Sequence, residues 1–188
     1  FAQHHFVWWR MSVVAGLRSD SFEQELTRSN TLVNAPFSGS RFSPRVGGDI
    51  AVIRGETVNL VAFGNFAEGF RPQLPGLNTL NNVVVPQLLR PEVTRNLEGG
   101  LRLRHRVVSA QTSVFSMRKI DGQRSFRSGP EDFIFVNATS RVRGFESEVR
   151  AILPRGASVY GNYAFHHATH TEFRTTLTAN FRATRLRM

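Results

Sequence analysis

Six alternate positions near the start of the chain, Val7, Trp9, Met11, Val13, Ala15 and Leu17, are apolar, and between them lie Trp8, Arg10, Ser12, Val14, Gly16 and Arg18. A period of two marks a strand with one apolar face and one largely polar face. The run is long for a soluble strand, where about five or six residues is usual. It is close to the ~9–11 residues that cross a bilayer as a tilted strand.

Six further segments repeat the alternation. Residues 46–54 carry Val46, Gly48, Ile50 and Val52 on one face, and residues 58–67 carry Val58, Leu60, Ala62, Gly64 and Phe66 against Asn59 and Asn65. Residues 95–104 set Leu97, Gly99, Leu101 and Leu103 against Asn96, Glu98, Gly100, Arg102 and Arg104. Residues 108–119 set Val108, Ala110, Thr112 and Val114 against Ser109, Gln111 and Ser113. In residues 144–152, Phe145, Val149 and Ala151 oppose Glu146, Glu148 and Arg150. In residues 157–166, Val159, Gly161, Tyr163 and Phe165 oppose Ser158, Tyr160, Asn162 and His166.

The connections alternate in length. Residues 19–45, 68–94 and 120–132 are long or medium and largely polar, whereas 54–57, 105–106 and 153–156 are short turns. Short turns on one side and long loops on the other belong to an outer-membrane barrel, with the turns periplasmic and the loops extracellular. A soluble β-sandwich also alternates apolar and polar residues, with a turn every ~8–12 residues. It does not usually gather its long loops at one end. The fold class is therefore all-β, an antiparallel transmembrane β-barrel fragment of about seven strands. An open sheet would leave two unpaired edges in lipid, which the bilayer does not tolerate. Residues 1–188 are accordingly read as one partial barrel domain, an internal piece of a larger barrel.

Composition changes this picture little. No run approaches the ~18–20 apolar residues of a membrane-spanning helix. A mean hydropathy of −0.24 suits a barrel, because alternate strand residues face a wet lumen. The absence of cysteine excludes disulfides and thiol catalysis. The net charge is +10, and all basic residues but Lys119 are arginine. Those arginines are scattered singly with no recognition helix or stacking sheet, so nucleic acid is not an expected partner.

Five motifs carry a family resemblance. Residues 65–72, Asn-Phe-Ala-Glu-Gly-Phe-Arg-Pro, resemble the "Y/F-x-E-G-F-R-x-P" segment of TonB-dependent outer-membrane receptors. Residues 90–102, from Arg90-Pro91-Glu92 to Glu98-Gly99-Gly100-Leu101-Arg102, are similar to that family's "L-x-P-E-x-s-x-x-x-E-x-G-l-k" strand. Residues 114–121 resemble its "v-F-y-x-x-k-x-D", residues 137–148 its "N-a-x-x-a-r-x-x-G-v-E-x-E", and residues 160–165 its "l-x-x-x-Y-a-y". The first strand ends in Gly16-Leu17-Arg18, similar to the family's "G-l-R-y-d". Order and spacing over residues 42–171 give these motifs their weight together.

The resemblance implies a 22-stranded barrel filled by an N-terminal plug, a plugged transporter. It implies uptake of a scarce ligand, most often a ferric siderophore, driven by the TonB complex through a box in the N-terminal part, and a place in the outer membrane of a Gram-negative bacterium. Plug, TonB box and closing strands are absent from residues 1–188, which the resemblance places around strands eleven to seventeen. The tail at 181–188 lacks the glycine and proline of the family's "f-x-G-n-r-l-P" loop. A passive porin, an autotransporter barrel and a soluble all-β binding module remain as alternatives.

Candidate ligand-binding residues, on the extracellular-side lumen or its loops, are Arg18, Phe70, Arg71 and His166. Lumen-facing polar positions are Arg10, Asn96, Glu98, Arg102, Glu146, Glu148, Arg150, Tyr160 and Asn162. Their carboxylates and guanidiniums can pair across strands or hold a plug, and neither faces lipid cheaply. Outer-membrane lipid is an expected partner, and Trp8, Trp9, Tyr163 and Phe165 suit the aromatic girdles that meet its interfaces. His166, His167 and His170 follow a strand near Glu172 and read as a wet strand end, so neither metal nor cofactor is expected. Asn137-Ala138-Thr139 matches a glycosylation sequon, which carries no meaning in a bacterial outer-membrane protein. No catalytic constellation is visible, and the chain is not read as an enzyme.

Overall fold

The computed structural model describes residues 1–28, 33–73, 76–80, 83–87, 90–127 and 133–174. Its strands are β1 (Ala2–Trp8), β2 (Met11–Arg28), β3 (Val33–Arg54), β4 (Val58–Arg71), β5 (Gly76–Leu80), β6 (Val83–Gln87), β7 (Glu92–His105), β8 (Val108–Arg127), β9 (Phe133–Ile152) and β10 (Ser158–Arg174). Eight of them form one sheet in the order β1-β2-β3-β4-β7-β8-β9-β10, and β5 and β6 form a separate hairpin. Every pairing is antiparallel. The sheet is a meander, the topology that short tight turns produce.

The first apolar run is two strands rather than one. Chain direction reverses at Trp9-Arg10, with Trp9 at φ 52, and Trp8 pairs with Met11. Alternation continues unbroken across such a turn, so periodicity alone merges the two strands and counts seven where the sheet has eight. The other connections at this rim are equally short: residues 55–57, Arg106-Val107, and a single 3-10 turn at Pro154–Gly156. In that last turn Arg155 (φ 66) and Gly156 (φ 81) take the left-handed conformation that glycine tolerates best.

At the opposite rim, the segments that alternation leaves as long connections are largely strand. β2 and β3 stay paired from Met11↔Ile50 out to Arg28↔Val33, and β8 and β9 out to Arg127↔Phe133. The stretch 68–94 holds the ends of β4 and β7 with the β5–β6 hairpin between them. This hairpin lies against β9.

Registers align whole rows across the sheet. One row runs Trp8, Met11, Ile50, Ala62, Leu101, Thr112, Ser147, Tyr163. The next runs Phe6, Val13, Gly48, Gly64, Gly99, Val114, Phe145, Phe165. These rows form one apolar face, and it is uncovered: Leu101 is 45% exposed, Val114 60% and Phe165 56%. A bulge between Ala51 and Ile53 shifts the phase of β3, so that Ile53 rather than Val52 pairs with Leu60. Buried apolar residues among those described are few: Val93, Ile134, Val136 and Ala138.

Candidate functional site

The other face of the sheet is polar, and its side chains come from alternate positions of the same strands. Glu98 of β7 accepts a hydrogen bond from Asn65 Nδ2 of β4 at 3.1 Å. Arg102 donates through Nε to Gln111 Oε1 at 3.0 Å, and its guanidinium lies 5.1 Å from the centre of the Phe63 ring. Glu146 of β9 meets His166 Nε2 of β10 at 3.1 Å. The His166 ring stands edge-on to Phe115, with centroids 5.4 Å apart. Glu148 lies in register between Gln111 and Asn162, and Arg150 between Ser109 and Tyr160. Asn162 and Tyr160 touch at 3.4 Å.

Glu98, Glu146 and Glu148, with Gln111, Ser113 and Asn162, line a concavity of about 280 Å³. Its three carboxylates and neutral donors and acceptors form an acidic surface suited to cationic or hydrogen-bond-donating groups. A larger concavity of about 590 Å³ sits nearer the far rim, lined by Arg18, Ser43, Arg45 and Asn65 among others. There Arg18 is paired with Asp20 at 2.7 Å. Arg45 extends over Gly16, where an added Cβ would stand 3.0 Å from Arg45 Cγ. The Ser43 hydroxyl is buried without a hydrogen-bond partner.

Two carboxylates near the far rim are each clamped between cations from neighbouring strands. Glu92 binds Arg71 and Lys119, both at 3.3 Å. Glu68, beyond the apolar rows, binds Arg95 at 2.8 Å and both Nε and Nη2 of Arg41. Burial alone would raise the Glu68 pKa, but hydrogen bonds and charge from Arg95 and Arg41 outweigh it and hold the carboxyl below its ordinary value.

A third device ties the β4–β7 connection to the sheet. Buried Asn137 of β9 accepts from Arg90 N at 3.1 Å, donates to Arg90 O at 3.3 Å, and donates to Asp121 O at 2.8 Å. Gln73 Nε2 donates to the same Asp121 carbonyl at 2.9 Å. Asp121 presents that carbonyl from a bulge in β8, at φ 55. The sequon asparagine is therefore a strap residue, with its amide already occupied.

Several sequence candidates thus converge on the polar face: Glu98, Arg102, Glu146, Glu148, Arg150, Tyr160, Asn162 and His166. Asn96 lies there too, with Oδ1 buried and unpartnered. Arg10 does not belong to this group: it occupies the β1–β2 turn, 4.7 Å from the Trp9 ring centre, because the strand breaks there. Phe70 packs on Phe22, centroids 5.3 Å apart. Arg71 is committed to Glu92. His166 and His167 point to opposite faces of β10, and among the described residues no cluster of metal-ligating side chains forms. Periodicity alone does not single out Arg45, Gln73, Phe63 and Phe115, because their roles depend on which strand residue faces them.

Comparison with known proteins agrees with this architecture. The family model described as "TonB dependent receptor-like, beta-barrel" matches residues 1–187. An "Uncharacterized TonB-dependent receptor" of Haemophilus influenzae (strain ATCC 51907 / DSM 11121 / KW20 / Rd) is 25% identical over 166 residues, covering 85% of this chain and 45% of that protein. The chain thus spans about half the length of the curated relative it matches. An all-β meander with one uncovered apolar face, one polar face and tight turns along one rim is the wall such a domain requires, and the chain belongs to the TonB-dependent receptor β-barrel family.

Proposed function

We propose that this chain forms part of the wall of an outer-membrane receptor in a Gram-negative bacterium, one that takes up a ferric siderophore or similar scarce ligand with energy from the TonB complex. The observation that carries the reading is the uncovered apolar face, with its rows in register over eight strands. So large an exposed apolar surface is not sustained in water but is what a lipid-facing wall demands.

The polar face would then line the lumen. Its carboxylates Glu98, Glu146 and Glu148 would meet the plug, accepting hydrogen bonds from its donors while Asn65 and His166 hold two of them in place. Arg18, with Arg45 beside it, the rim residues Phe70 and Arg71, and His166 on the polar face are the proposed ligand contacts on the extracellular side. Arginines in such a place favour an anionic ligand, as ferric chelates often are.

Uptake of a panel of radiolabelled ferric chelates by cells carrying the receptor tests this. Accumulation of one chelate against a gradient, abolished when TonB is inactivated, is the expected result. Diffusive entry that is indifferent to TonB would instead mark a passive porin.

A further inference from the structure

On the apolar face, cations replace apolar side chains as the rows approach the far rim. The row beyond Val114 and Phe145 runs Phe66, Leu97, Ser116, Arg143, His167. The row after it runs Glu68, Arg95, Arg118, Arg141, Thr169. Arg95, Arg118 and Arg141 are thus direct cross-strand neighbours on β7, β8 and β9, all exposed, with Arg143 beside them. Like charges placed opposite one another destabilise a sheet. The one carboxylate in these rows, Glu68, is shared between Arg95 and Arg41. Arg141 reaches only the Ser116 hydroxyl, at 3.3 Å. Arg118 and Arg143 have no hydrogen-bonding or charged partner among the described residues.

We infer that Arg95, Arg118, Arg141 and Arg143 form a binding surface for phosphate-bearing lipid headgroups, on the outside of the wall at the rim of the long connections. This rests on the reading of the apolar face as membrane-facing. The arginines follow the exposed apolar rows, at the depth where headgroups lie. The next row on β4, β7 and β8, Phe70, Val93 and Ile120, is apolar again but has Val93 buried rather than presented outward. Their charge is unbalanced within the sheet, and a layer of phosphates supplies the missing anions. Guanidinium binds phosphate in bidentate fashion and is weakly hydrated, which suits it to an interface. Sharing the load over three strands lets one headgroup bridge neighbouring strands.

The test uses the receptor barrel carrying this chain, reconstituted in phosphatidylcholine with trace spin-labelled phosphatidic acid or spin-labelled phosphatidylcholine. Electron spin resonance measures the motionally restricted fraction of each. The unmodified protein is expected to prefer phosphatidic acid, and R118Q/R143Q to lose that preference by up to about fivefold for each arginine removed. Arg54→Gln, on the polar face at the opposite rim, should leave it unchanged. A second readout guards against a variant that folds poorly. In phosphatidylcholine alone R118Q should be no less heat-stable than the unmodified protein, since a like charge has gone. Added phosphatidic acid should stabilise the unmodified protein more than R118Q. Restricted lipid with equal preference in all variants would overturn the inference and leave the barrel wall standing. So would a preference abolished by excess inorganic phosphate, which would mark a free-anion site. No restricted lipid of either kind would remove the membrane wall and this surface together.

Discussion

Phe115 of β8 occupies the space that a side chain on Gly144 of β9 would need. The two residues pair directly across the strands, and a Cβ built on Gly144 would stand 2.5 Å from Phe115 Cζ. His166 of β10 pairs with Gly144 from the other side, and its ring reaches Phe115 over the glycine. Phe63 and Gly100 repeat the arrangement between β4 and β7, with a built Cβ 2.8 Å from Phe63 Cζ. An aromatic ring laid over a cross-strand glycine restores packing that the glycine lacks and pins register. Gly144→Ala should therefore destabilise the folded barrel by about 1–3 kcal/mol through overpacking. Phe115→Leu in the same chain should recover part of the loss. Urea unfolding in lipid vesicles measures both, and a Gly144→Ala variant as stable as the parent would refute the assignment.

Asn137 should matter through its amide. Replacing it with Ala removes its hydrogen bonds to the Arg90 N–H, the Arg90 carbonyl and the Asp121 carbonyl, each worth about 0.5–1.5 kcal/mol. Asn137→Asp keeps an acceptor for Arg90 N but loses both donated bonds, and should fall between parent and Ala. The expected readout is faster proteolysis within residues 72–91, with the rest of the barrel intact. Unchanged cleavage there would mean that the strap does not hold the connection.

The strands were legible because period-two alternation survives wherever one face meets an apolar phase and the other a polar one. The turn at Trp9-Arg10 was not, since it has neither glycine, proline nor asparagine and the alternation runs through it. The bulge at Val52 is invisible to alternation, which therefore misses that Ile53 takes the place opposite Leu60. Residues 19–45 read as loop because, past Leu17, their side chains no longer alternate by polarity, yet backbone pairing continues to Arg28↔Val33. A hairpin with both faces in water keeps its hydrogen bonds without an apolar signature. Site residues divide the same way. Glu98 and Glu146 are legible because they alternate with apolar neighbours such as Leu97 and Phe145 and so fall on the polar face, whereas Arg45 and Gln73 gain meaning only from the strands that face them.

The Glu68 clamp should respond to pH. Its folded pKa is held below the ordinary carboxylate value, so its contribution is present above the unfolded pKa and is lost as pH falls through the folded one. Stability of the unmodified barrel should therefore decline below about pH 4.5 more steeply than that of Glu68→Gln. Parallel curves for the two proteins in acid unfolding would show that Arg41 and Arg95 do not favour the charged form.

Orientation gives a further expectation. Cysteines placed at Ser21 and Ser125, on the strand extensions at the far rim, should react with an impermeant maleimide on intact cells. Cysteines at Gly55 and Arg155, in the short turns, should react only after the outer membrane is permeabilised. The reverse pattern would invert the barrel and move the Arg18–Arg45 concavity to the periplasmic side.

Facing can be read residue by residue along β7. Leu101 lies in the apolar row between Ala62 and Thr112, while Glu98 is on the polar face bonded to Asn65. Leu101→Arg places a charge near the bilayer midplane and should cost roughly 2–4 kcal/mol. Glu98→Gln keeps a hydrogen-bonding group at a hydrated position, so the change should be about 1 kcal/mol. A soluble sheet packed on its apolar face would also suffer from Leu101→Arg, so the mutant alone does not distinguish the two. Single fluorescent probes from 97 to 103 with a lipid-phase quencher do. Quenching at 97, 99, 101 and 103, but not at 98, 100 and 102, is the pattern a barrel wall produces, because only alternate side chains touch acyl chains. Uniform quenching would mean that the strand lies flat in the interface. No quenching at all would mean that the apolar face is covered by protein, and the wall assignment would fall with it.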